Sequence, residues 1–122
     1  MKVHISADPI ATCTQNLPGC GAAVRFDGIV RGEENGALIP GLEYEAYQPM
    51  AERVMEEILD DLAVTFPCEY VSVWHRIGFV PTGEAAIVVE IQSKHRQEAF
   101  DLLTHFMNRL KEDVPIWKKS PR

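Results

Sequence analysis

The sequence has no long hydrophobic run and few cysteines, and both absences restrict the kind of protein it can be. No apolar stretch approaches the about 18 residues that a membrane-spanning helix needs, and the first residues lack the apolar segment of a signal peptide. The three cysteines, Cys13, Cys20 and Cys68, form no Cys-x-x-Cys pair, which argues against a zinc site or a disulfide framework. These features predict a cytoplasmic protein with reduced thiols, no membrane segment and no metal.

Positive charge is also scarce in this chain. Twelve Lys and Arg residues stand against eighteen Asp and Glu residues, which gives a formal net charge of −6. An acidic protein repels the phosphate backbone, so we expect no nucleic-acid partner. The sequence also lacks a Ser-His-Asp spacing, a phosphate-cradling glycine-rich loop and a His/Glu metal pattern. A local basic site for a small anion remains compatible with this balance.

Hydrophobic periodicity predicts an α+β fold, and the 122 residues suit a single domain, 1–122. Alternating apolar residues predict three strands, at 22–30, 42–47 and 70–77, and a nearly continuous apolar run predicts a fourth at 85–91. One amphipathic helix is predicted between Pro49 and Pro67, and a second between an N-cap at Ser93 and Pro115. Residues 7–21 and 31–36 read as loops, 78 and 81–83 as a turn, and 116–122 as a basic tail. This order predicts a largely antiparallel sheet with two main helices packed on it.

Because positive charge is scarce, its clusters are informative. Arg31 ends the first long strand, and His95 with Arg96 opens the second helix, where free N–H groups and the helix dipole favour an anion. Lys111 lies near the apolar face of that helix, where partial burial would make it a usable base or nucleophile. These cations and Lys118 either converge on one phosphate-bearing substrate or are unrelated solvated groups.

Three further patterns have a structural and a functional interpretation. Glu43 and Glu45 share a strand face and could serve a glycosidase, although a solvated strand face is the favoured interpretation. His75 alternates onto an apolar face, which is more typical of a core histidine than of a catalyst. Ile116 and Trp117 would dock the tail on the domain, and that docking would fix Lys118 in place.

Five segments in order closely resemble the molybdopterin synthase catalytic (large) subunit family. They are GAAVRFDGIVR at 21–31, LEYEAYQPM at 42–50, VWHRIG at 73–78, SKHRQEAF at 93–100 and LKEDVPIWKK at 110–119. Two motifs together make this resemblance specific to the family. They are the His-Arg pair at the helix start and the Lys-x6-Lys spacing that ends in Trp-Lys. The chain departs at residues 32–35, where relatives usually have an Asn-His-rich loop. It also ends sooner than many relatives, and a shorter tail predicts a more open pocket.

The resemblance implies an α/β hammerhead fold and a sulfurtransferase that works in molybdenum cofactor biosynthesis without a metal or other cofactor. It implies a homodimer within a heterotetramer, with a small ubiquitin-like sulfur-carrier subunit at each end. The carrier's C-terminal Gly-Gly thiocarboxylate would insert into a pocket of this chain. Two sulfurs would then pass to cyclic pyranopterin monophosphate, which forms the dithiolene of molybdopterin.

The resemblance also assigns site residues. The catalytic pair would be Lys111 and Lys118, and the substrate-binding residues would be Ile29, Val30, Arg31, His95, Arg96 and Lys119. Lys111 would move a proton or polarise the thiocarboxylate carbonyl, and Lys118 would stabilise developing negative charge. The alternatives are a non-catalytic dimeric module that binds a ubiquitin-like tail or an anionic nucleotide-like ligand, and a purely structural homodimer.

Overall fold

Two helices pack on one face of a mixed sheet in the computed structural model, which describes residues 2–12 and 14–119. The strands are β1 (Lys2–Ser6), β2 (Ala22–Ile29), β3 (Glu33–Glu34), β4 (Ala37–Leu38), β5 (Gly41–Ala46), β6 (Tyr70–Arg76), β7 (Gly78–Pro81), β8 (Ala85–Ser93) and β9 (Ile116–Lys119). The helices are α1 (Met50–Thr65) and α2 (Arg96–Asp113). Cys13 and the tail residues 120–122 lie outside the described residues.

The strands form a four-stranded sheet in the order β1-β6-β8-β2, a three-stranded sheet in the order β7-β5-β9, and the small β3–β4 hairpin. The β1–β6 pair is parallel, and the other pairs within the described residues are antiparallel. The predicted α+β class, with a largely antiparallel sheet and two main helices, is therefore confirmed.

The main core lies between the two helices and the four-stranded sheet. Both helices are amphipathic, so each buries one apolar stripe, and alternate residues of the sheet strands fill the facing layer. The fully buried members include Met55, Ile58, Leu59, Val73, Val89, Leu102 and Phe106. Each such side chain contributes about 1.5–3 kcal/mol by leaving water. This core holds α2 firmly, and α2 carries predicted site residues at both of its ends.

The boundaries of α1 follow the local sequence signals, whereas the start of α2 does not. Helix α1 runs from Met50 to Thr65, between the prolines predicted to bound it. The predicted N-cap at Ser93 is wrong, because Ser93 is the last residue of β8 and the N-cap of α2 is His95. The Ser93 hydroxyl donates instead to the carbonyl oxygen of His95. It thereby holds the turn between strand and helix.

The loop predicted at 31–36 contains a hairpin instead. Asn35 and Gly36 both have positive φ angles, of 52° and 79°, between the paired strands β3 and β4. An Asn-Gly pair is the preferred two-residue connection of a hairpin, because both residues tolerate the left-handed region. The segment after Arg31 is therefore an ordered hairpin.

Besides the two hairpin strands, the sequence prediction missed β1, β7 and β9, because their partners are distant in the chain. Strand β1 pairs in parallel with β6, and β7 occupies a segment that was predicted to be largely a turn. Strand β9 pairs with β5, so the predicted basic tail is a strand as far as Lys119. Arg122, which was predicted to belong to that tail, lies outside the described residues.

Gly41 allows β5 and β7 to approach each other closely. A Cβ atom at this position would collide with the Val80 carbonyl oxygen and lie 2.6 Å from the Phe79 ring. We expect Gly41→Ala to lower the free energy of unfolding by about 1–3 kcal/mol, as overpacking generally does. Urea denaturation would measure this loss. Gly19→Ala is the matched control, since nothing lies within 4 Å of its added Cβ. Equal stability of the two variants would contradict the steric argument.

Candidate active site

Lys111 and Lys118 lie in one cleft at the C-terminal end of α2. After Asp113 the chain turns at Pro115 and returns as β9, where Lys118 is in register with Tyr44 of β5. We call the cleft of about 410 Å³ formed there the Lys111 cleft. Its lining residues are Tyr44, His75, Met107, Leu110, Lys111, Ile116, Trp117 and Lys118. The Lys-x6-Lys spacing thus spans a helix end, a turn and a strand.

A second, narrower cleft adjoins the first, and we call it the Arg31 cleft. It encloses about 80 Å³ and is lined by Ile29, Val30, Arg31, Glu33, Glu34, Ile39, Leu42, Tyr44 and Lys118. Tyr44 and Lys118 line both clefts. The fold therefore brings Ile29, Val30 and Arg31 into one cleft with Lys118, and this cleft adjoins the one that contains Lys111. The β3–β4 hairpin adds two glutamates beside Arg31, which makes this cleft less positive than Arg31 and Lys118 alone would.

Within the described part of the chain, neither Lys111 nor Lys118 forms an ion pair with an acid. None of the ion pairs among residues 2–12 and 14–119 includes either side chain. Two unpaired cations at one cleft create a positive potential that attracts an anionic ligand. The sequence predicts that Lys111 is partly buried. In the single chain this prediction is wrong, because the Lys111 side chain is exposed.

The docking of the C-terminal segment differs from the prediction in one respect. Ile116 packs against the main core, whereas Trp117 keeps 54% of its surface exposed. Lys118 is therefore positioned mainly by the hydrogen bonds between β9 and β5, rather than by a buried tryptophan.

Strand alternation separates Lys119 from Lys118. Neighbouring residues of a strand point to opposite faces, and Lys119 lines neither cleft. Its ammonium group lies 2.8 Å from a Glu45 carboxylate oxygen, and this hydrogen bond with its charge raises the pKa of Lys119. Both side chains are exposed, so water screens the pair and its contribution to stability is small.

His95 and Arg96 lie at the opposite end of α2. Together with Gly21, Lys94 and Gln97 they line a separate surface cleft of about 420 Å³. An α-helix rises about 1.5 Å per residue, so the fifteen positions from Arg96 to Lys111 span about 22 Å. The predicted convergence of all these cations on one site is therefore wrong within a single chain.

His75 forms part of the floor of the Lys111 cleft. It is only 6% exposed, and this burial lowers its pKa, so the ring is neutral at pH 7. The ring nitrogen Nδ1 lies 2.8 Å from the Arg76 carbonyl oxygen. A carbonyl only accepts, so Nδ1 carries the proton of the neutral ring and donates it to this bond. His75 is thus a buried core histidine, as predicted, and it also lines the cleft.

The described residues contain neither a metal site nor a membrane-spanning helix. In residues 2–12 and 14–119, no group of three or more His, Cys, Asp or Glu side chains is placed to hold a metal ion. No helix in the same residues is long and apolar enough to cross a membrane.

Comparison with known proteins shows the family of this chain. The family model described as MoaE protein matches residues 2–113. The chain belongs to the MoaE protein family.

Named relatives and solved structures agree with that membership. The molybdopterin synthase catalytic subunit of Homo sapiens is 40% identical over 103 residues, which are 84% of this chain and 55% of the human protein. The chain therefore spans about half the length of that relative. A crystal structure of molybdopterin synthase from Staphylococcus aureus superposes with a TM-score of 0.88 at 38% identity, and covers 96% of this chain and 88% of that one.

A further structural neighbour in this family is a complex. The protein–protein complex of subunits 1 and 2 of molybdopterin-converting factor from Helicobacter pylori matches with a TM-score of 0.71 at 27% identity. The match covers 84% of this chain and 66% of the chain in that complex.

One residue of this MoaE family chain was missed as a site residue by the sequence analysis. Tyr44 lies between the two clefts, in register with Lys118. The available signal was the alternation of Leu42, Tyr44 and Ala46 on one strand face. That alternation indicates a strand, but it does not show what lies against the face.

Proposed function

We propose that this chain is the catalytic subunit of a molybdopterin synthase, acting as one domain over 1–122. It transfers sulfur from the thiocarboxylated C-terminus of a small ubiquitin-like carrier to cyclic pyranopterin monophosphate, and the product is the dithiolene of molybdopterin. The observation that carries this proposal is that Lys111 and Lys118 line one cleft and that neither forms an ion pair among the described residues. Lys118 also lines the adjoining cleft that contains Arg31. The MoaE family membership and the names of the relatives support it.

The positions of the cations suggest their roles. Arg31 binds an anionic oxygen of the substrates, for which a guanidinium offers two parallel donors. Ile29 and Val30 form the adjoining wall of the Arg31 cleft. Lys118, at the boundary of the clefts, stabilises negative charge as it develops on the reacting oxygen. Lys111 transfers a proton or polarises the thiocarboxylate carbonyl.

A second copy of the chain completes the proposed site. His95 and Arg96 are about a helix length from Lys111, so they cannot join its cleft within the same chain. In a homodimer, His95 and Arg96 of the partner subunit bind the anionic pterin at that cleft. This homodimer is the centre of a heterotetramer with two carriers, and the complex of two subunits from the same family supports the carrier as partner. Lys119 has no role in this arrangement, because it lies outside both clefts and pairs with Glu45.

We also propose that the reaction takes place in the cytoplasm and needs no metal or other cofactor bound to this chain. Cys20 and Cys68 are free thiols, as is usual in a reducing compartment.

Reconstitution tests the proposed function directly. The purified chain is mixed with thiocarboxylated carrier and cyclic pyranopterin monophosphate, and the dithiolene is detected as its fluorescent oxidised derivative. We expect product with this carrier and none with a carrier that ends in an ordinary carboxylate, since the latter has no sulfur to give. Carrier binding without product would instead support the non-catalytic binding module.

A further inference from the structure

Tyr44 lies where the Arg31 cleft meets the Lys111 cleft. Among the described residues, it is the one uncharged side chain that lines both. Its place is fixed by the sheet, since β5 is the central strand of three and Tyr44 is in register with Gly78 on one side and Lys118 on the other. Register partners on paired strands share a face, so Tyr44 and Lys118 are neighbours at the boundary.

The ring of Tyr44 is held in place, but its hydroxyl has no hydrogen-bond partner in the described part of the chain. The ring packs edge-on against His75 with 5.4 Å between centroids, and His75 is itself held by its bond to Arg76. None of the hydrogen bonds formed within residues 2–12 and 14–119 involves the Tyr44 hydroxyl. Tyrosine hydroxyls that are partly buried usually find a hydrogen-bond partner within the protein. This one is left available to a ligand.

The hydroxyl keeps its proton and so acts as a donor. Burial of the ring, with a smaller effect from the charge of Glu34, raises the pKa of Tyr44. Beside it, Lys118 supplies a positive charge. A neutral donor and a cation that flank one point favour a negatively charged oxygen there.

We propose that Tyr44 is a further substrate-binding residue, whose hydroxyl donates a hydrogen bond to the acyl oxygen of the carrier's C-terminal thiocarboxylate. This inference rests on the proposed function. Sulfur can pass only where the carrier tail and the pterin meet, and the boundary between the two clefts is the place that both can reach. The acyl oxygen carries part of the thiocarboxylate's negative charge, and the phenol and Lys118 bind it together.

The test compares Tyr44→Phe with Tyr47→Phe in the reconstituted complex. Tyr44→Phe removes one oxygen atom and keeps the ring. Tyr47 is an exposed tyrosine near the same strand that lines neither cleft, so it is the matched control. We expect kcat/KM for the carrier to fall about 10- to 100-fold for Tyr44→Phe, as for a lost hydrogen bond to a charged group. We expect no change in the melting temperature or in KM for the pterin, and Tyr47→Phe should stay within about twofold of the parent. A Tyr44→Phe enzyme as fast as the parent would overturn the inference.

Carrier affinities test the Tyr44 contact even if the unmodified chain makes no product. The affinities of parent and Tyr44→Phe are measured for the thiocarboxylated carrier and for a carrier that lacks its last glycine. We expect Tyr44→Phe to weaken binding of the complete carrier by about tenfold or more and to leave the truncated carrier unaffected. Equal weakening of both carriers, or of neither, would show that Tyr44 does not contact the terminal group. An inactive parent that still shows the expected difference would refute the proposed function and leave the Tyr44 contact supported.

Discussion

Replacing Lys111 by alanine is expected to abolish dithiolene formation and to leave the fold and carrier binding nearly intact. A positioned acid or base contributes about 10²- to 10⁴-fold to a rate, so its removal should take the product below detection. The fold should tolerate the change, because Lys111 is exposed in the last turn of α2, forms no ion pair among the described residues, and alanine is a good helix former.

The measurement is the reconstituted assay with the variant beside the parent, together with thermal melting and a carrier-binding titration. Lys2→Ala serves as the control, because it removes an exposed lysine from β1, which contributes to neither cleft. Its activity should match the parent within about twofold. If Lys111→Ala made product at the parental rate, the role assigned to Lys111 would be wrong.

Co-expressed Arg96→Ala and Lys111→Ala subunits are expected to regain activity that neither variant has by itself. The proposed site takes Lys111 from one copy and Arg96 from its partner. A mixed dimer therefore contains one site with both residues and one site with neither. In a two-fold symmetric dimer that assorts at random, half of the dimers are mixed, so activity should return to about a quarter of the parental value.

Two outcomes separate a shared site from a site within one chain. Lys111→Ala mixed with Lys118→Ala is the control, because both lysines line the same cleft of the same chain and no mixed dimer restores it. We expect no recovery in that mixture. If the Arg96→Ala mixture gave only the average of its two variants, His95 and Arg96 would not reach the partner's cleft and the shared site would be refuted.

Local sequence patterns were sufficient for the elements that form the main core, with the exception of β1. The alternation in β2 and β6, the apolar run of β8 and the amphipathic period of both helices predicted those elements within a few residues of their observed bounds. Each pattern is a property of neighbouring residues, because one face of the element must be apolar wherever the rest of the core lies. Pro49 and Pro67 bounded α1 for an equally local reason, since each restricts its own backbone.

Site residues could be selected from the sequence for two reasons. In a chain with a net charge of −6, a cluster of cations is conspicuous. The Lys-x6-Lys spacing and the His-Arg helix start also resemble one family, and the comparisons confirm membership of it. The functions assigned to the residues remain proposals for the assays above.

Only the tertiary structure decided which of these residues meet. Strands β1, β7 and β9 exist because distant strands supply their hydrogen bonds, and a short segment gives no sign of its partner. The register of β9 on β5 directs Lys118 into the clefts and Lys119 away from them, although the two lysines are adjacent in sequence. The length of α2 separates Arg96 from Lys111, and the pairing of β5 with β9 brings Tyr44 to Lys118. The sequence by itself determined the fold class, the helices and the set of cations, because these depend on local patterns and composition. Their grouping into clefts depends on strand register and helix length, which are realised only when the chain folds.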